Sequence, residues 1–255
     1  MTAPERKAGW CMIQGDALDV LERLDPGSHG ALFTDPPYSS GGQFRGDRMA
    51  APSTKYQKSS ARGSHPEFMG DNRDQRSFAV WSERWLRLAW RALEPGALAV
   101  IFTDWRQLPT LTDAIQVAGF TWRGILVWDK SLSARPQPGR FRAQAEYMVW
   151  ASKGPLPPAK GKPPGPGVFR LPVCHQRKIH IADKPVALCR DVLPLLTGPI
   201  LDPFAGAGPI GLAAIEAGKG YLGIEADPYW HRVASGRLAE AAGENGAGGS
   251  WSDAA

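Results

Sequence analysis

The stretch "PILDPFAGAGPIGLAAIEAGKGYLGIEAD", from Pro199 to Asp227, constrains the fold of this chain more than any other. An apolar run ends in Asp202, a glycine-rich turn follows, then a segment of helical character, then a second apolar run ending at Glu225. Gly206, Gly208 and Gly211 stand in the spacing G-x-G-x-x-G. A strand-to-helix turn uses glycines there because the backbone takes left-handed torsions and packs close to its neighbours. Such a unit builds a parallel strand pair, and parallel sheets need helices to cover them.

The rest of the chain continues the alternation. "CMIQGD" reads as a strand ending at Asp16, "ALDVLERL" as a helix with Leu18, Leu21 and Leu24 on one face, and "GALF" as a strand. Phe78, Trp81, Trp85, Leu88 and Ala92 mark a helix stopped by Glu94-Pro95-Gly96. "ALAVIF", "TWRGILVW" and "EYMVWA" are strand-like, and Trp105 to Ala118 is helical in character. Asp183 suits an N-cap, with Pro185 in the first turn of a helix reaching Leu196, and a last helix runs from Pro228 to about Ala241. The tryptophans at 81, 85, 90 and 105 are assigned to core and helix packing. The expectation is an α/β, Rossmann-like fold: a mostly parallel seven-stranded sheet with helices on both faces, one domain over 1–241, and a disordered tail over 242–255.

A chain of 255 residues suffices for one such domain. No apolar run approaches the roughly 20 residues that span a bilayer, and the N-terminus lacks a leader-type apolar stretch, so a cytoplasmic protein without membrane partners is expected. The three cysteines are scattered, which excludes a disulfide framework. Cys174-His175 with His180 lacks a fourth ligand, so no metal is expected. Net charge is +5, but Arg135 to Lys178 alone holds nine basic residues against one acidic, Glu146. A basic stripe so local is the footprint of a polyanionic partner.

The glycine loop matches a dinucleotide fingerprint in spacing, including the acid about 20 positions on. Its chemistry argues otherwise. A pyrophosphate wants free N–H groups at the helix start and no nearby negative charge. Pro209 removes one N–H, and Asp202 puts a carboxylate beside the place the phosphates would lie. S-adenosylmethionine suits the site better, with an ammonium for Asp202, a ribose diol for Glu225, and close backbone approach at Gly206 and Gly208.

A second cluster, "FTDPPYSSGG", follows the "GALF" strand. Together "DPPY" and "DPFAGAG", in that order, resemble the β class of DNA amino-methyltransferases, and "QGDALDVLERL", "AEYMVWASKG" and "HIADKPVAL" are similar to further family segments. The resemblance spans Cys11 to about Ala241 and implies a methyltransferase fold in circularly permuted motif order. It implies that Asp16 meets the cofactor's adenine, Asp183 and Lys184 its methionine end, Asp202 its ammonium and Glu225 its ribose. Pro203, Phe204, Gly206 and Gly208 would line the pocket.

The residues of the first cluster agree with that chemistry. An exocyclic amino group is a poor nucleophile because its lone pair is conjugated with the ring. Asp35 and the Pro36 carbonyl, accepting its two N–H bonds, would favour a pyramidal nitrogen. Pro36 and Pro37 preset the carbonyl, and Tyr38 offers a face for an extruded base. The expected activity is methylation of adenine N6 in DNA after base flipping. The alternatives are cytosine N4, RNA, and a DNA-binding regulator that has lost catalysis. A glutamine-amide protein methyltransferase would have asparagine at position 35 and the opposite motif order.

DNA contacts are expected from a long loop, 39–77, carrying Ser39, Arg45, Arg48, Lys55 and Lys58, and from the basic stripe with Arg135, Arg140, Lys160, Lys162 and Arg170. The Pro/Gly-rich segment 153–179 is short for a base-reading module, which points to a short or relaxed recognition sequence, or to recognition shared with the 39–77 loop. The resemblance is compatible with a homodimer and with a prokaryotic or phage source.

Overall fold

The computed structural model describes residues 9–38, 73–134, 136, 138–156, 158, 163–173 and 184–243. They form one eight-stranded sheet in the order β1-β8-β7-β2-β3-β5-β4-β6. The strands are β1 Trp10–Gln14, β2 His29–Thr34, β3 Leu93–Thr103, β4 Thr121–Asp129, β5 Ala145–Ser152, β6 Val168–Arg170, β7 Ile200–Asp202 and β8 Tyr221–Glu225. Between them lie helices α1 Ala17–Arg23, α2 Gln75–Ala92, α3 Leu108–Val117, α4 Val186–Val192 and α5 Pro209–Glu216, and α6 Pro228–Ala242 follows the last strand. No described helix is long and apolar enough to cross a membrane.

Five of the seven neighbour pairings are parallel, and β5 is antiparallel to both β3 and β4. The expected count of seven is corrected to eight. The extra strand is β6, three residues at the end of the proline-rich stretch, parallel to β4 through Val127, Trp128 and Asp129. It forms where "GPG" gives way to the strand-prone Val168 and Phe169.

Strand periodicity divides the core into two faces. Leu32, Ala99, Ile101, Val149 and Leu201 point to one side, where Leu21 of α1, Trp85 and Leu86 of α2, and Leu111 and Ile115 of α3 cover them. Ala31, Phe33, Phe102, Met148 and Ile200 point to the other, beneath Leu188 of α4, Ile210 and Ala213 of α5, and Leu238 of α6. Neighbouring strands β2 and β7 feed helices on opposite faces and connect in opposite directions along the sheet. This is the switch point of an open α/β sheet, where a crevice forms at the strands' carboxyl ends.

Local chemistry moves several expected boundaries. Asp74 caps α2 by accepting from the N–H groups of Arg76 and Ser77, so residues 75–77 are helical and not loop. The helix ends at Ala92, and Glu94-Pro95-Gly96 already lies in β3. Asp104 accepts from the backbone of Arg106 and Gln107, which delays α3 to Leu108 and leaves Trp105 59% exposed instead of in the core. Pro185 sits at the N-cap of α4 and not inside it. The α-helix stops at Val192 because Pro194 has no N–H to continue it, and a 3-10 turn over Leu193–Leu195 follows.

Candidate active site

Six strands that share one direction each end in an acid: Asp16 after β1, Asp35 after β2, Asp104 after β3, Asp129 at the end of β4, Asp202 closing β7 and Glu225 closing β8. The reversed strand β5 brings Glu146 to the same edge from its beginning. Asp35 and Asp202 flank the crevice between β2 and β7. The Thr34 hydroxyl donates to Asp202 Oδ1 at 2.7 Å and so ties the "DPPY" loop to the glycine loop.

On the glycine-loop side, Asp202 is 1% exposed and takes further donors from the Tyr221 hydroxyl at 3.0 Å and the Phe204 N–H. Burial pushes its carboxyl up to about 7, against the opposing effect of these hydrogen bonds. Glu225 is also raised by burial, and it accepts from Gly206 N–H at 2.9 Å and Asp227 N–H at 2.8 Å. Asp16 accepts from Leu18 N–H as the cap of α1. Phe204 packs against Trp85 at 5.1 Å and Trp81 at 5.3 Å between ring centres, and the Arg73 guanidinium lies over Trp81. These residues make an aromatic wall beside three carboxylates.

The three glycines serve different needs. Gly208 has φ +79°, and a Cβ there would meet Leu238 at 2.8 Å, so it is required by packing against α6. A Cβ on Gly211 would meet the Tyr221 ring at 2.7 Å. Gly206 has φ +52° and open space where its Cβ would be, so it alone leaves room for a ligand's close approach. Pro209 occupies the first turn of α5, where a phosphate would want an N–H. Together with a buried carboxylate held by neutral donors, these features fit S-adenosylmethionine, whose ammonium and sulfonium are cationic.

On the other side of the crevice stands a network that sequence reasoning missed. Lys184, 6% exposed, was expected at the cofactor's methionine end; its Nζ donates to Asp35 Oδ2 at 2.6 Å and the Tyr38 hydroxyl at 3.1 Å. It also pairs with Glu146 Oε1 at 3.2 Å. Glu146 accepts from the Tyr38 hydroxyl at 2.8 Å and pairs with Lys130 at 2.6 Å. Burial alone would raise Glu146, but the Lys184 and Lys130 cations outweigh it and bring the carboxyl to about 2. Burial likewise opposes the charge on Lys184, and Asp35 and Glu146 overcome it, so the ammonium stays protonated. Both ends of the Asp35-Pro36-Pro37-Tyr38 stretch are thereby held. The one available signal for Glu146 was its position as a lone acid in a basic stretch, opening an apolar strand.

Of the expected DNA contacts, Arg140 is exposed and Arg170 pairs with Asp129 at 2.8 Å, its side chain 79% exposed. Ser39, Arg45, Arg48, Lys55, Lys58, Arg135, Lys160 and Lys162 lie outside the described residues, as does Asp183. Cys174, His175 and His180 do too; among the described residues no group of acids, histidines and cysteines is placed to hold a metal ion.

Comparison with known proteins bears on the family and the fold. The family model for N6/N4 DNA methylases matches residues 31–164 and 157–235. YubD of Escherichia coli strain K12 is 29% identical over 230 residues, covering 89% of each chain. The type II methyltransferase M2.DpnII of Streptococcus pneumoniae is 26% identical over 262 residues and 93% of each chain. Among solved structures, the M1.HpyAVI complex with S-adenosylmethionine superposes with a TM-score of 0.63 at 20% identity, over 90% of this chain and 98% of that one. The cytosine-N4-specific PvuII DNA methyltransferase gives 0.64 at 18% identity, over 91% and 87%.

Proposed function

The chain belongs to the DNA methylase family, and from that premise we propose that it methylates the N6 amino group of adenine in DNA, as a β-class enzyme of permuted motif order that flips its target base. The observation that carries this reading is the junction of the two motifs. Asp35 and Asp202 end adjacent strands and are joined through Thr34 at 2.7 Å, so an amino group held by the first lies beside a cofactor held by the second.

In this reading Asp35 and the Pro36 carbonyl accept the two amino N–H bonds, turning the nitrogen lone pair toward the glycine loop. Tyr38 stacks on the extruded base, replacing part of the stacking lost from the duplex. Lys184 and Glu146 hold Asp35 and Tyr38 before the base arrives, so little reorganisation is left for the reaction itself. Asp202 pairs with the cofactor's ammonium, Glu225 accepts from its ribose hydroxyls, Asp16 reaches its adenine, and Pro203, Phe204 and Gly206 shape the pocket. S-adenosylmethionine, when bound, supplies a methyl group on a sulfonium that is open to in-line attack. Alignment of two reactants of this kind is worth roughly 7–11 kcal/mol. No residue forms a covalent intermediate; as the N–C bond forms, the methyl–sulfur bond would break to leave neutral S-adenosylhomocysteine, and the amino proton released would pass by way of Asp35 to solvent.

Cytosine N4 is the second reading, favoured by the breadth of the family model and by the PvuII neighbour. The proposal extends to a single domain over 1–241, to homodimeric assembly, and to action on DNA in a prokaryotic or phage setting, in restriction–modification or epigenetic marking. The test is labelling of unmethylated DNA with tritiated-methyl S-adenosylmethionine, digestion to nucleosides, and mapping of the marked bases. Label in N6-methyladenine is expected. Label in N4-methylcytosine keeps the mechanism and changes the base, and no label in DNA overturns the proposal.

A further inference from the structure

The segment between β4 and β5 rises from the catalytic edge as a braced turn. Lys130 N–H donates to the Gln144 carbonyl at 3.0 Å, and the Gln144 side chain donates to Asp129 Oδ1 at 2.6 Å. Arg142 turns inward and caps the carbonyls of Leu132 and Ala134 at 2.7 and 2.8 Å. Ser133 Oγ accepts from Val173 N–H at 2.8 Å, fixing the turn to the chain beyond β6. On this braced turn Phe141 is 100% exposed and Leu132 is 75% exposed.

Single exposed apolar residues are common and need no explanation. These two differ in setting. The turn is anchored to the catalytic crevice, since Lys130 holds Glu146 at 2.6 Å and Glu146 holds Tyr38 at 2.8 Å. Phe141 is three residues from Gln144, a reach of about 10 Å for extended chain. Its neighbour Arg140 is exposed, and Arg170 stands on the same edge beyond Asp129. An apolar side chain on a braced turn beside an exposed cation has the chemistry of an element that enters a polyanionic stack. Apolar wedges of this kind part base steps in other DNA-bound proteins, and flipping a base leaves a gap that must be filled or collapse.

We propose that Phe141, with Leu132 on the same turn, is an apolar wedge that enters the DNA stack at the gap left by the flipped base. The inference rests on the DNA methylation reading and names the element that stabilises the extruded state. Arg140 and Arg170 bring the backbone to the turn, Phe141 stacks on the bases facing the gap, and Tyr38 receives the base on the other side.

The test uses the full chain and two duplexes built around the site that the labelling experiment maps. One is fully paired; in the other the nucleotide opposite the target is abasic, so the target is already unpaired. For Phe141→Ala, kcat/KM on the paired duplex is expected to fall tenfold or more, and on the abasic duplex by less than twofold, with S-adenosylmethionine affinity unchanged. Phe141→Trp restores the paired duplex, and Leu132→Ala shows the same preference with a smaller loss. Equal losses on both duplexes, or no loss on either, would overturn the wedge. A shift from dimer to monomer on gel filtration of Phe141→Ala would overturn it too, because a second copy would then cover the residue. Wild-type protein that labels no DNA fails the methylation reading first, before any variant is made, and takes the wedge with it.

Discussion

On the β1–β8–β7 half of the carboxyl edge, Asp202 and Glu225 are satisfied by neutral donors: the hydroxyls of Thr34 and Tyr221, and the amides of Phe204, Gly206 and Asp227. On the other half, each acid holds a cation of the chain: Asp35 with Lys184, Glu146 with Lys184 and Lys130, Asp104 with Arg106, and Asp129 with Arg170. The two halves therefore differ in what they still want. A buried carboxylate held only by dipoles rises in pKa and remains a seat for an arriving cation, as the shift of Asp202 to about 7 records. A carboxylate already paired is fixed in position, as the fall of Glu146 to about 2 records. The first half is built to receive charge and the second to hold a shape. On the proposed function, S-adenosylmethionine would bring cationic groups to the first, and a neutral base amino group would need only oriented acceptors from the second.

The separation of the two halves is most exposed to test at Asp35. Asp35→Asn replaces a pure acceptor with a group that also donates, and methyl transfer is expected to fall roughly 10²–10³-fold. Cofactor affinity, set by the other half, should be unchanged by calorimetry. A parallel fall in affinity would show that the halves do not act separately.

Lys184 and Glu146 sharpen the point, because they touch Asp35 and Tyr38 and nothing in their contacts requires substrate. Lys184→Met and Glu146→Gln keep side-chain size and are each expected to lower kcat by roughly 10²-fold through misplacement of the motif. KM for S-adenosylmethionine should stay put, and Lys184→Arg should recover part of kcat. In the double variant the losses should couple by about 0.5–3 kcal/mol, because both residues act on one hydrogen-bonded group. Strict additivity would mean that they work independently and that the clamp does not exist.

The same contrast explains what was legible in the sequence. Alternating strands and helices, the "DPPY" run and the glycine loop are contiguous, and local periodicity and turn chemistry reveal them. The clamp is not contiguous: Tyr38 and Glu146 are 108 residues apart, and they meet because β5 is inserted antiparallel between β3 and β4. Nothing local encodes that insertion. Lys184 was singled out for its motif, but its partners were hidden for the same reason. The glycines show a further layer that spacing does not reveal. Their spacing marked a ligand loop, yet Gly208 and Gly211 answer to Leu238 and Tyr221, and only Gly206 faces open space.

The gentlest test lies in proton linkage at Asp202. Ligand-free, its carboxyl titrates near 7, whereas in the unfolded chain it titrates near 3.8. Between those values the native state binds a proton that the unfolded chain has released, so this group's contribution makes ligand-free stability fall as pH rises from about 4 to 7. An ammonium seated beside Asp202 favours the ionised form. Cofactor binding below pH 7 must then expel the proton, and affinity should climb as pH rises, by at most about tenfold per unit, before levelling above 7. Calorimetry in buffers of different ionisation enthalpy measures the released proton directly. Asp202→Asn cannot release it, so both the affinity slope and the opposing stability slope should flatten together. Binding with no proton release in the wild type would place the ammonium elsewhere, and the first half of the edge would lose its claim to be the seat for external charge.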